Sequence, residues 1–200
     1  MNEIKITYVD AAPDMYISHY LAQVNIALGE DVNAIVQEIA FDGADNMMQL
    51  IQNEDVQRAN IVLLDSDLFK NNKEEKRVVG EQVVLLLKKI NPFIKVIVIS
   101  QRGDLQHVGV VAKFKSEQQE AYEEATAYYG EHLLPRLETA VRSIMKYRTI
   151  RRDVDESDET KVLLDQIDGL MHGNVSYSNV RQADIDKLIL QVKNLEESYE

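Results

Sequence analysis

The chain has no cysteine, no tryptophan and only three prolines in its 200 residues. Without cysteine there is no disulfide framework, thiolate nucleophile, CxxC redox pair or cysteine-ligated zinc. No apolar run approaches the roughly 18 residues of a spanning helix. The opening MNEIKITYVD carries an early acid and no cationic lead-in of a secretory signal. Cations are scarce too: 22 Lys+Arg stand against 34 Asp+Glu, a net charge of −12. Phosphate backbones attract basic faces, so this balance argues against nucleic acid as the partner. GxGxxG, P-loop and GxSxG motifs are missing, which argues against nucleotide binding and esterase chemistry. His19, His107, His132 and His172 are scattered with no metal-ligand spacing. The expectation is a soluble, cytoplasmic protein of one large domain or one domain with an appendage.

What the sequence does contain is a rhythm. Three short runs rich in β-branched residues end in a polar residue: 4–9 (IKITYV) before Asp10, 61–64 (IVLL) before Asp65, and 96–99 (VIVI) before Ser100. The second and third are continuously apolar, as strands buried on both faces of a parallel sheet must be. Weaker strands are expected at 34–39 and at 108–112, the latter followed by Lys113. Helices are expected at 12–27, with Pro13 in the first turn, at 44–52, and at 80–90, ended by Asn91-Pro92. Alternation of strands and helices predicts an α/β fold, a doubly wound five-stranded parallel sheet.

Two polar stretches, 69–79 and 115–130, break the rhythm and read as insertions or extensions at one end of the sheet. An amphipathic run follows at 131–148. From residue 151 the character changes, with 6 cations against 12 acids over 151–200. The expected division is an α/β domain over 1–150 and a linker with helical extension over 151–200. Two helices are expected there, at 161–171 and 183–198. Leu163, Leu164, Ile167 and Leu170 form one apolar stripe; Ile185, Leu188, Ile189, Val192 and Leu195 form another. Such stripes must be covered by the domain, by each other or by a second chain. A homodimer through this extension is one expectation.

In a doubly wound sheet all strand C-termini point to one edge, where such folds hold their ligands. Asp10 and Asp65 are thus expected side by side, with Ser100 and Lys113 flanking them. Two carboxylates suit a hard divalent cation such as Mg²⁺; a hydroxyl and an ammonium suit phosphoryl oxygens. Asp10, ahead of Ala11-Ala12-Pro13, is equally placed to cap the first helix, and Ser100 to form a turn.

YVDAAPD at 8–14, IVLLDSD at 61–67, VIVIS at 96–100 and VVAKF at 110–114 resemble, in order, the strand ends of receiver domains of two-component response regulators. FDGADNMMQLI at 41–51 and GEQVVLLLKKI at 80–90 resemble that family's second and third helices. The resemblance covers roughly 1–150. It implies Asp65 as phospho-acceptor, with Asp10, Asp65 and the Asp67 carbonyl as Mg²⁺ ligands. Ser100 and Lys113 would contact the acyl phosphate, and a sensor histidine kinase would be the partner. In that family catalysis is positioning and charge neutralisation rather than enzymatic turnover. Three departures stand out: Ala11 replaces the usual second acid, Val111 the usual aromatic and Phe114 the usual proline. They imply an atypical receiver, or a phosphorylation-independent one that serves as a dimerisation or partner-binding module. A hydrolase on the same scaffold, using Asp10 and Asp65, is a third class.

Overall fold

The computed structural model describes residues 2–41, 47–68, 80–101, 110–118, 120–153 and 158–171. Five strands, β1 (Asn2–Asp10), β2 (Val32–Ala40), β3 (Ile61–Asp65), β4 (Lys95–Ser100) and β5 (Val110–Ala112), form one sheet. All neighbours pair in parallel, in the order β2-β1-β3-β4-β5. This is the flavodoxin-like doubly wound arrangement. The expected strand at 108–112 is seen from Val110; its first two residues lie outside those described.

Two apolar clusters sandwich the sheet. Ile4, Ile6 and Tyr8 of β1, with Ile61 and Leu63 of β3, face one; Val9, Val62 and Leu64 face the other. Every residue of β3 is buried, which explains why that run lacks polar alternation. The second cluster is roofed by α3 (Met47–Gln52), α4 (Glu54–Gln57) and α5 (Gly80–Ile90). The residues 44–46 expected to begin α3 lie outside those described.

The first cluster is covered by α1 (Met15–Ala22), α2 (Val24–Leu28), α6 (Tyr122–His132), α7 (Leu134–Asp153) and α8 (Asp158–Met171). The single helix expected over 12–27 is two helices. Asp14 sets the start, accepting at one carboxylate oxygen from Tyr16 N (2.9 Å) and Ile17 N (3.1 Å). Pro13 therefore precedes the cap instead of occupying the first turn. Gly29, with φ +86°, ends α2 in a conformation that suits glycine.

The acidic stretch at 115–130 is largely helical, because its apolar residues recur every fourth position. Ala121, Ala125, Tyr129, Leu133 and Leu137 are all buried in one line that runs from α6 into α7. Pro135, which has no N–H to give, lies where the two helices divide.

The stripe in 163–170 is covered by this chain itself. Leu164, Ile167 and Leu170 join the first cluster. Two buried asparagines fasten the end of α8: Asn60 Nδ2 donates to Met171 O and Asn91 Nδ2 to Leu170 O, both at 2.9 Å. Each also holds its own neighbourhood, Asn60 Oδ1 accepting from Lys5 N and Asn91 Oδ1 from Phe93 N. The stripe at 185–195 lies outside the described residues. No described helix is long and apolar enough to cross a membrane.

Leu170 is fully buried, so Leu170→Ala is expected to cost about 2–5 kcal/mol, a lost side chain plus the cavity it leaves. The urea midpoint of the full chain measures it. A change within error of zero would show α8 to be loosely attached.

Candidate functional site

The parallel sheet carries Asp10, Asp65, Ser100 and Lys113 to the C-terminal ends of β1, β3, β4 and β5. Burying charge at the end of an apolar run is costly unless it is paired, and these charges are paired. Lys113 Nζ lies 2.6 Å from Asp10 Oδ2 and 3.0 Å from Asp65 Oδ1. The three side chains are only 4–6% exposed. The ammonium's directed hydrogen bond goes to Asp10. Asp65 Oδ1 receives its charge but no directed hydrogen bond.

Asp10 is saturated. Its Oδ2 also accepts from the Tyr8 hydroxyl at 2.5 Å, and its Oδ1 from Ala12 N at 3.1 Å. That last bond is the turn-forming role, while helix capping falls to Asp14. Tyr8 OH in turn accepts from Asp14 N at 3.1 Å, so the β1–α1 turn is wired through one tyrosine. Tyr8 was invisible as a site residue among apolar neighbours. Its signal is that a phenol in the inward-facing register of Ile4 and Ile6 needs a buried partner.

Asp65 Oδ2 accepts from Asp67 N at 3.3 Å. What the structure gives of Asp67 at this carboxylate is thus an amide donor. Ser100 is fully buried; its hydroxyl accepts from Ser66 Oγ at 2.9 Å, and its carbonyl from Lys113 N at 2.7 Å. Beyond Lys113, α6 holds the end of β5: Tyr129 OH accepts from Phe114 N at 2.9 Å, and Tyr128 OH donates to Ala112 O at 3.2 Å.

The electrostatics follow from burial and count. Burial pushes the Asp65 carboxyl above its ordinary range; Lys113 pulls it back, and the Asp10 charge pushes the same way as burial. For Lys113 burial alone would lower the ammonium's pKa, but Asp10 and Asp65 together hold it above the ordinary lysine value. Burial, reinforced by the bond to Asp10, keeps Tyr8 neutral.

As arranged, the Lys113 ammonium stands against one oxygen of each carboxylate that the Mg²⁺ expectation calls on, while Asp10 Oδ1 and Asp65 Oδ2 each accept one backbone N–H. Ala11 is exposed and adds no carboxylate. Among the described residues no group of three or more His, Asp or Glu is placed to hold a metal.

Compared with known proteins, the chain matches no family model, no curated protein and no solved structure.

Lys113→Met leaves two carboxylates facing each other in a buried site and is expected to destabilise by about 3–5 kcal/mol at neutral pH. Asp65→Asn is expected to behave in the opposite way. A carboxyl whose folded pKa is raised favours folding at pH below its ordinary value and loses that contribution as pH rises through the folded value. The asparagine variant should therefore gain on the wild type as pH climbs through and above the carboxylate range. Thermal midpoints of the three proteins from pH 3 to 8 test the pair; parallel curves for wild type and Asp65→Asn would refute the assignment.

Proposed function

We propose that the chain is a receiver-like signalling module that works by protein–protein contact and needs no phosphoryl group to hold its signalling edge in shape. One observation carries this reading. The Lys113 ammonium already stands against both Asp10 and Asp65, the carboxylates to which the resemblance assigns a cation. An internal cation costs no ligand concentration and does not dissociate, so the edge keeps one arrangement whatever the metal or phosphodonor supply. Tyr8 supports it by adding a hydroxyl donor to the same Asp10 oxygen that Lys113 holds. With Ala11 in place of a second acid, no further carboxylate competes for Lys113.

A second reading is favoured by one specific atom. Asp65 Oδ1 carries no directed hydrogen bond and is thus the oxygen with a lone pair to offer. In that reading Asp65 is phosphorylated by a sensor histidine kinase or a small phosphodonor, and Lys113 neutralises the incoming charge. Ser100 lies on the intervening strand as a hydroxyl for a phosphoryl oxygen.

The two readings part in a single measurement. Incubation of the full chain with acetyl phosphate and Mg²⁺, followed by intact mass, is expected to show no phosphoryl gain. Beryllofluoride with Mg²⁺ is expected to leave the thermal midpoint unchanged. A mass gain that Asp65→Asn abolishes would replace the first reading with the second.

A further inference from the structure

Helix α8 is held in two ways. Leu164, Ile167, Leu170 and Met171 enter the first apolar cluster. Its last two carbonyls, Leu170 O and Met171 O, which a helix end leaves without partners of its own, are taken by the side-chain amides of Asn91 and Asn60. Among the described residues, no element lies along α8 as closely as α6 lies along α1.

The helix has little to sustain it alone. Fourteen residues is about the length at which an isolated helix is marginal in water. Asp165 and Asp168 stand in its C-terminal half with no cation in the last turn, against the helix macrodipole. Gly169 weakens the same turn. The gain from burying four apolar side chains is of the same order as the entropy lost in ordering fourteen residues. The two amide bonds therefore weigh heavily in whether α8 stays.

Those two bonds are suited to opening as well as closing. Asn60 Oδ1 accepts from Lys5 N, and Asn91 Oδ1 from Phe93 N. Neither bond involves α8, so both amides are aimed by the sheet and its loop whether or not α8 is present. Beside them lies a cavity of about 10 Å³, lined also by Phe93, Ile144, Tyr147 and Met171, about the size that admits one water. Water arriving there meets the donors directly, so opening exchanges hydrogen bonds and leaves no donor unmet.

We propose that α8 is a releasable strap, which opens as a unit from a sheet that stays folded, with Asn60 and Asn91 as its catch. Opening parts the apolar stripe of α8 from its seat and turns a covered helix face into a segment free to fold onto another surface. Residues 172–200 continue directly from the two held carbonyls, so whatever engages that part of the chain acts on the catch. The proposal goes beyond the contact-making role above. The outcome at Asp65 does not decide it, since Asn60 precedes β3 and Asp65 ends it.

The test is native-state amide hydrogen exchange of the full chain over a series of urea concentrations below the unfolding midpoint. The amides of 164–170 are expected to exchange together, with one shared urea dependence, and faster than those of Ile61–Asp65. Asn91→Asp keeps the acceptor for Phe93 N and removes the donor to Leu170 O; it should speed the α8 amides about fivefold or more. Ile51→Val thins the second cluster, away from α8, and should speed the β3 amides about fivefold while leaving those of α8 unchanged. Protection of α8 equal to that of β3 would overturn the proposal, as would an Ile51→Val effect of equal size on both. Exchange of 164–170 spread residue by residue would show fraying and overturn release as a unit. No effect of Asn91→Asp on α8 would remove the catch.

Discussion

A single ammonium between two buried carboxylates holds the C-terminal edge of this sheet together. In the strand order, β1 and β3 are neighbours, but β5 stands beyond β4. Lys113 therefore reaches across the end of β4 to meet Asp65 and Asp10, and the residue it crosses is Ser100, one of the smallest side chains available. Ser100 hands its hydroxyl to Ser66 and its carbonyl to Lys113 N, which keeps that strand end short and satisfied. Two carboxylates and one ammonium do not balance. The surplus negative charge is moderated by the Tyr8 hydroxyl on Asp10 and the Asp67 amide on Asp65. Removing the cation is therefore far more damaging than neutralising one anion, since the first leaves like charges together in a weakly polarisable site.

The strand ends were legible in the sequence for a simple reason. A strand buried on both faces carries few polar residues, so the polar residue that ends its apolar run marks the edge, as Asp10, Asp65, Ser100 and Lys113 do. What the sequence hid was of two kinds. The stretch 115–130 read as an acidic insertion because its acids, Glu117, Glu120, Glu123 and Glu124, crowd its first ten residues. The helix is specified by a line of one buried residue in four, which average composition conceals. Tyr8 was hidden because a tyrosine inside an apolar run counts as bulk until its hydroxyl is asked for a partner. The stripe of α8 was legible as a face that needed cover. Which cover it has is decided by Asn60 and Asn91, over a hundred and nearly eighty residues away, and no local pattern carries that.

Where a receiver would place an aromatic two residues before its lysine, this chain has the buried Val111. The aromatic is displaced to Phe114, on the other side of Lys113. Phe114 packs edge-on against Tyr16 at 5.3 Å and lies 5.6 Å from Tyr128. Its N–H is taken by Tyr129 and the preceding carbonyl, Ala112 O, by Tyr128. Lys113 is thus bracketed by two main-chain bonds to one helix, α6, and by ring contacts to the start of α1. Both the position of the ammonium and the position of α6 are set by the same few tyrosines.

The β2 edge of the sheet is closed by a side chain. There the outward N–H and C=O of Ala34 are both taken by the Asn25 side chain, at 2.6 and 3.0 Å. An asparagine amide presents the same donor–acceptor pair as a neighbouring strand, so it closes that edge near the start of β2. An edge left unpaired invites association with other chains, and here that risk is met by a hydrogen-bonding mimic from α2.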